Sequence, residues 1–221
     1  MSNYLKIKEE IKTLAQKAGR SSADVTLVVV SKGHPWEEAL PLYNEGCRDF
    51  GENRLQEALE KKLSAPDDIR WHMIGTLQSN KVKKALSQFV LIHSVDTPEL
   101  ALKIDAESQK MGLVTSILLQ VNTSGELSKH GLSPENWLAA FEKLMNLPNI
   151  QIVGLMAMAP LGAEEAQIRA CFSRLRKLRD QLEQLYRIKL PQLSMGMSQD
   201  YRIAIEEGAT LLRIGTAVWK G

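Results

Sequence analysis

No stretch of this chain approaches the ~18 apolar residues that a membrane span requires. The N-terminus, Met1 to Lys12, alternates charged with apolar residues and lacks the apolar centre of a secretory signal. Cysteine is scarce. Cys47 and Cys171 are the only two and form no metal-ligand spacing. Free thiols in a reducing cytoplasm are therefore the expectation, with a disulfide as the alternative. No HxxH or HxH pattern supports a metal. Neither sign of charge is in excess: 28 basic residues face 26 acidic ones, for a net +2. Such a balance gives no electrostatic case for nucleic acid or an anionic membrane. Linkers, repeats and low-complexity tracts are also missing, so residues 1–221 read as a single domain.

What remains is ordinary globular material, 44% hydrophobic and 24% charged, with apolar content enough for one core. Apolar runs alternate with helical patterns. The candidate strands are Val25–Ser31, Arg48–Gly51, Trp71–Gly75, Val90–Val95, Ser116–Val121, Ile150–Met156, Gln192–Met195 and Leu211–Ile214. Thr97-Pro98-Glu99 and Ser133-Pro134-Glu135 each offer an N-cap, a proline at the first helical position and an acid in the first turn. Glu164 to Tyr186 carries an amphipathic stripe through Ile168, Cys171, Phe172, Leu175, Leu178, Leu182 and Leu185. Eight strands alternating with helices fit one α/β (β/α)8 TIM barrel; a doubly wound open sheet is the alternative. The sequence reaches Gly221 just after the last strand, which leaves no room for a normal eighth helix. An extra N-terminal helix, with Tyr4, Ile7, Ile11, Leu14 and Ala18 on one face, is expected to cover that wall.

The run Thr26-Leu27-Val28-Val29-Val30-Ser31 is apolar on both faces and stops on Lys32 before Gly33-His34-Pro35. A lysine at the mouth of a buried strand is expected to be poorly solvated. That favours the free amine, the nucleophile a Schiff base needs; a lysine snorkelling to solvent is the bland alternative. Phosphate is commonly held after strands 7 and 8 of such barrels. Strand 7 leads into Leu193-Ser194-Met195-Gly196-Met197-Ser198 and strand 8 into Arg213-Ile214-Gly215-Thr216. Ser198 reads as the N-cap of a helix Gln199–Glu207, and Gly215 and Thr216 add a close backbone and a hydroxyl. Arg213 shares a strand face with Gly215; it reads either as a structural ion pair or as a donor to a ring nitrogen. Glu52 and Asn53 supply an acid and an amide at the same mouth, unless Asn53 caps the helix that follows. His72 and His93 read as satisfied barrel histidines, and Lys81, Lys83 and Lys84 as a solvated face. Lys129, in the loop after strand 5, reads as a surface lysine able to swing over the mouth.

A nucleophilic lysine with a phosphate cradle suggests pyridoxal 5′-phosphate. The segments Val30-Ser31-Lys32, Phe50-Gly51-Glu52-Asn53, Trp71-His72-Met73-Ile74-Gly75, Leu77-Gln78-Ser79-Asn80-Lys81, Gly154-Leu155-Met156, Leu193-Ser194-Met195-Gly196-Met197-Ser198 and Arg213-Ile214-Gly215-Thr216 occur in order. Together they resemble the pyridoxal-phosphate homeostasis protein family, also called proline synthetase co-transcribed homologs, across nearly the whole chain. The resemblance implies the barrel of the alanine racemase N-terminal type and a cofactor-binding set of Lys32, Asn53, Ser198, Arg213, Gly215 and Thr216. It implies the cofactor as a Schiff base on Lys32, Asn53 near its ring, Arg213 on the pyridine nitrogen, and Ser198, Gly215 and Thr216 on the phosphate. The chain departs from the family at Gly33, where a residue such as Thr is common, and in a short tail after Thr216.

The resemblance also implies a vitamin B6 binding and homeostasis protein without an established catalytic activity; a cytoplasmic location and recipient apo-enzymes as partners are further expectations. A monomer is the expectation. Arginine cannot give its proton to a pyridine nitrogen, so the ring stays a poorer electron sink than it would be opposite an aspartate. A pyridoxal-phosphate-dependent amino-acid racemase is the alternative. In alanine racemase the second base is a tyrosine from an additional β domain of the partner subunit. This chain shows no such domain, and none of Tyr4, Tyr43, Tyr186 and Tyr201 sits at a strand end. A phosphosugar isomerase or aldolase on the same barrel would need a further acid/base pair.

Overall fold

Every apolar run read as a strand forms one, and the eight close into a parallel barrel in chain order. That closure excludes the open-sheet alternative. The computed structural model describes residues 1–126 and 130–220; Lys129 lies outside the described residues. The strands are β1 (Thr26–Val30), β2 (Asp49–Glu52), β3 (Arg70–Met73), β4 (Leu91–Val95), β5 (Thr115–Gln120), β6 (Ile150–Met156), β7 (Gln192–Ser194) and β8 (Leu211–Ile214). Between them lie α2 (Trp36–Asn44), α3 (Leu55–Lys62), α4 (Val82–Ala85), α5 (Pro98–Met111), α6 (Pro134–Met145), α7 (Glu165–Tyr186) and α8 (Tyr201–Glu206), with α1 (Asn3–Lys17) before the barrel and α9 (Thr216–Trp219) after it.

The period of two along each strand divides the apolar residues into separate layers. Val28, Leu91, Leu118, Met156 and Leu211 pack together inside the barrel. Leu27, Val29, Phe50, Trp71, Ile92, Ile117, Leu193 and Ile214 belong to the larger layer shared with the helices. The register Val28↔Arg213 and Val30↔Gly51 aligns the residues at the strand ends.

The helix starts follow the local chemistry. The Thr97 and Ser133 hydroxyls accept from Leu100 N and Asn136 N, each with proline in the first turn. Glu164 and Gln167 form a reciprocal capping box ahead of α7. Along α7, Cys171, Phe172, Leu175, Leu178 and Leu182 are buried, whereas Leu185 is exposed. On α1 the core positions are Tyr4, Ile7, Ile11 and Ala15, while Leu14 and Ala18 are half-buried. This helix packs where expected, against α8 and α9. Tyr201 donates to Glu10 Oε2 at 2.7 Å, Arg202 pairs with Glu10 Oε1 at 2.6 Å, and Asn3 donates to the Lys220 carbonyl at 3.0 Å.

One helix differs from its sequence reading. The helix expected over Gln199–Glu207 is the shorter α8, and Asp200, not Ser198, is its N-cap residue. Residues 197–200 form a turn in which Asp200 N donates to the Met197 carbonyl and Asp200 Oδ1 accepts from Met197 N at 2.5 Å. The Asp200 side chain takes the N–H of Met197, three residues before it, and the helix begins only at Tyr201.

Candidate functional site at the mouth of the barrel

Beyond the ends of β1, β7 and β8 lies a cavity of about 540 Å³. Lys32, Ser198, Arg213, Gly215 and Thr216 all line it. The sequence-predicted lysine and the two halves of the predicted phosphate cradle thus meet in one place.

Lys32 follows β1 by two residues and opens a turn with Gly33, whose φ is +76°. That left-handed conformation suits glycine. Lys32 is exposed, and no described residue accepts from or pairs with its amine. The expected starvation of solvent is therefore corrected: the turn swings the side chain out of the strand, and openness leaves its amine free. The buried lysine is instead Lys61 on α3, which donates to the Ser31 carbonyl and to Glu52 Oε1, each at 2.5 Å.

Glu52 does not face the mouth as expected. Its carboxylate is fully buried between the Ser31 hydroxyl, at 2.5 Å, and Lys61, and it is absent from the cavity lining. Burial pushes its pKa up, only partly offset by Lys61 and Ser31. Strand alternation explains the difference, since Glu52 shares a strand face with Phe50, which packs in the layer under the helices. Asn53 is half-buried and also absent from the lining. It does not cap α3, which starts at Leu55 after Arg54 without a side-chain cap bond.

The cradle is built from turns. No described residue accepts the backbone N–H groups of Ser198, Gln199, Gly215 or Thr216. The Ser198 Oγ accepts from Ala217 N at 3.1 Å, tying the two turns together and leaving its own proton to donate. Backbone comes close at Gly215, where a Cβ would meet the Val30 side chain at 3.3 Å. Unaccepted amides and hydroxyls gathered at one cavity suit an oxyanion.

Arg213 is 4% exposed and enters the cavity lining from β8. It makes no ion pair within 4 Å among the described residues. Its Nη1 donates to Ser194 Oγ at 2.5 Å and its Nη2 to the Ala157 carbonyl at 3.0 Å. Two of its five N–H donors are so occupied, which leaves three. Burial lowers its pKa to about 10, against the pull of Asp200. It remains charged at neutral pH. Asp200 also lines the cavity, and burial raises its pKa despite the Met197 amide and Arg213.

Sequence reasoning missed several lining residues. Pro160, Leu161 and Gly162 come from the loop after β6, and their Pro-Leu-Gly signature marks a turn without indicating where it lies. His34 and Trp219 stack with ring centroids 4.1 Å apart, and Trp219 Nε1 donates to the Val30 carbonyl at 2.7 Å. The barrel histidines are satisfied as expected, each with two polar partners. Lys81, Lys83 and Lys84 are exposed. Cys47 and Cys171 are free thiols, both buried. No helix of the described residues is long and apolar enough to cross a membrane.

Comparison with known proteins agrees with this geometry. The family model for the alanine racemase N-terminal domain matches residues 3–221. The pyridoxal phosphate homeostasis protein of Pseudomonas aeruginosa is 44% identical over 219 residues, covering 98% of this chain and 93% of that one. That of Aquifex aeolicus is 43% identical over 215 residues, covering 97% and 94%. PipY of Synechococcus elongatus, solved with PLP bound, superposes with a TM-score of 0.84 at 40% identity, over 93% of this chain and 97% of that one. Alanine racemase of Clostridium difficile superposes with a TM-score of 0.76 at 13% identity, a likeness of fold alone, over 93% of this chain and 57% of that one.

Proposed function

This chain belongs to the alanine racemase N-terminal domain family, among the pyridoxal phosphate homeostasis proteins, and from that premise we propose that it binds pyridoxal 5′-phosphate as a Schiff base on Lys32 and serves vitamin B6 homeostasis as a carrier rather than an enzyme. The observation that carries this reading is the meeting, in one cavity, of an unpaired primary amine, four unaccepted backbone amides and a buried guanidinium. A phosphate monoester fits the amides and the hydroxyls of Ser198 and Thr216. An aldehyde fits Lys32, whose free amine would hold it as a Schiff base. A ring nitrogen fits a remaining N–H of Arg213. The volume of about 540 Å³ lies in the ordinary range for small-molecule sites. Asn53, outside the lining, belongs to the proposed set only through family likeness.

When bound, the cofactor supplies an electrophilic aldehyde on an electron-withdrawing ring. The residues around it are arranged to hold it. Arg213 keeps its proton at neutral pH, so the ring nitrogen stays an acceptor and carbanion chemistry is poorly supported. No tyrosine lines the cavity: Tyr201 donates to Glu10, Tyr43 to Asp68, Tyr186 packs on Phe141, and Tyr4 is buried on the core side of α1. Among the described residues, two-sided proton transfer lacks a tyrosine as second base. A cytoplasmic location and recipient apo-enzymes as partners complete the proposal.

Equilibrium binding tests it. Pyridoxal 5′-phosphate should bind far more tightly than pyridoxal, because each charge-assisted bond to the phosphate contributes about 1.5–3 kcal/mol. Equal affinity for the two would rule the cradle out.

A further inference from the structure

Across the barrel interior, from the start of β2 to the cavity, five polar side chains join end to end. Asp49 Oδ1 lies 3.1 Å from His72 Nε2, His72 Nδ1 lies 3.0 Å from His93 Nε2, His93 Nδ1 lies 2.8 Å from Ser194 Oγ, and Ser194 Oγ lies 2.5 Å from Arg213 Nη1. His72, His93, Ser194 and Arg213 are all at most 4% exposed. Their neighbours inside the barrel are apolar: Val28, Leu91, Leu118, Met156 and Leu211. Branched apolar side chains fill such interiors at no polar cost, whereas a buried polar group is costly unless every atom is matched.

With both imidazoles neutral, the ends of this row fix every proton within it. Arg213 can only donate, so Ser194 Oγ accepts from it. Arg70, also on Asp49 at 2.8 and 2.5 Å, helps keep that carboxylate ionised, and an ionised carboxylate can only accept. His72 therefore donates from Nε2, and its Nδ1 accepts from His93 Nε2. His93 Nδ1 then accepts the Ser194 proton. All four bonds then run one way, and each imidazole carries its proton on Nε2. With neutral rings, reversing any one link would set two donors or two acceptors against each other.

We propose that this one-directional relay is the positioning device for Arg213, locking the guanidinium so that its free N–H groups face the cavity. Asp49, His72, His93 and Ser194 then act on the ligand only through Arg213. The charged groups facing the relay are Arg70 at its far end and Asp200 beside Arg213, with no other ion pair on its members among the described residues. The inference rests on the reading of the cavity as a pyridoxal phosphate site, and it accounts for a buried polar row that cofactor contact alone does not require.

Two measurements test it. In cofactor-free protein, nitrogen-15 NMR of the imidazoles, assigned with His34→Gln and His130→Gln variants, should show His72 and His93 as neutral Nε2–H tautomers at pH 7. An Nδ1–H tautomer at either residue overturns the relay. Second, Ser194→Ala should release pyridoxal 5′-phosphate roughly tenfold more readily and shift the absorption band of the bound cofactor, while Ser194→Thr, which keeps the hydroxyl, should restore both. Circular dichroism confirms that each variant is folded. Wild-type affinity and band position in Ser194→Ala would overturn the positioning role. Failure of the wild type to take up the cofactor at all would instead overturn the cavity's proposed ligand, a result read before any variant is made.

Discussion

At the scale of single residues, openness and partner geometry matter more than burial. Lys32 is legible as a strand-end amine because an apolar strand stops on it, but not as an exposed one; the left-handed turn at Gly33 is invisible in the periodicity of β1. Gly33→Ala should cost about 1 kcal/mol in denaturant unfolding, since φ is +76° there, and an unchanged midpoint would contradict the turn. Glu52 was misplaced because one step of strand alternation separates mouth from wall. Ser198 lines the cavity as expected, but its hydroxyl ties down Ala217 instead of capping its own helix. Thr216→Ala, which leaves the backbone amides in place, should weaken pyridoxal 5′-phosphate binding about tenfold or more. Isothermal titration checks this, and undiminished affinity would exclude the hydroxyl from the cradle.

At the scale of elements, strands and capped helices were the most legible features. β6 and β8 match the expected Ile150–Met156 and Leu211–Ile214 to the residue, and the apolar run of β8 ends at Gly215. Short helices were less so: the Asp200 side chain moved the start of α8, and such competition leaves no periodic signal. The seat of α1 depends on Glu10, which receives Tyr201 and Arg202. Arg202 is largely exposed, so that pair contributes little, while the bond from the less accessible Tyr201 carries more. Glu10→Ala should therefore lower stability by about 1 kcal/mol in urea unfolding and leave cofactor affinity unchanged. A loss of affinity as large as that in Thr216→Ala would mean that α1 shapes the cavity.

At the scale of the whole molecule, a barrel with a polar row through its interior has a stability that depends on pH. Burial, with His72 and Arg213 nearby, holds the His93 pKa well below its ordinary 6.5. Below that value the unfolded chain takes up a proton that the folded one refuses, so stability falls as pH drops from 7 toward 5. The contribution approaches about 1.4 kcal/mol per pH unit. His93→Phe should flatten this slope in thermal unfolding relative to wild type, and an identical slope would place the proton elsewhere. Carrier and racemase also diverge at this scale. Holo-protein in heavy water should exchange the α-hydrogen of L-alanine or L-serine negligibly and form no D-enantiomer; sustained turnover abolished by Asp200→Asn would identify a second base that the carrier reading lacks.

The Schiff-base assignment is tested most directly by incubating the purified protein with pyridoxal 5′-phosphate, reducing it with borohydride, digesting it and locating the modified lysine by mass spectrometry. One major label is expected, on Lys32, absent from a folded Lys32→Ala variant. A major label on Lys61, Lys220 or any other lysine, or none at all, would contradict the assignment.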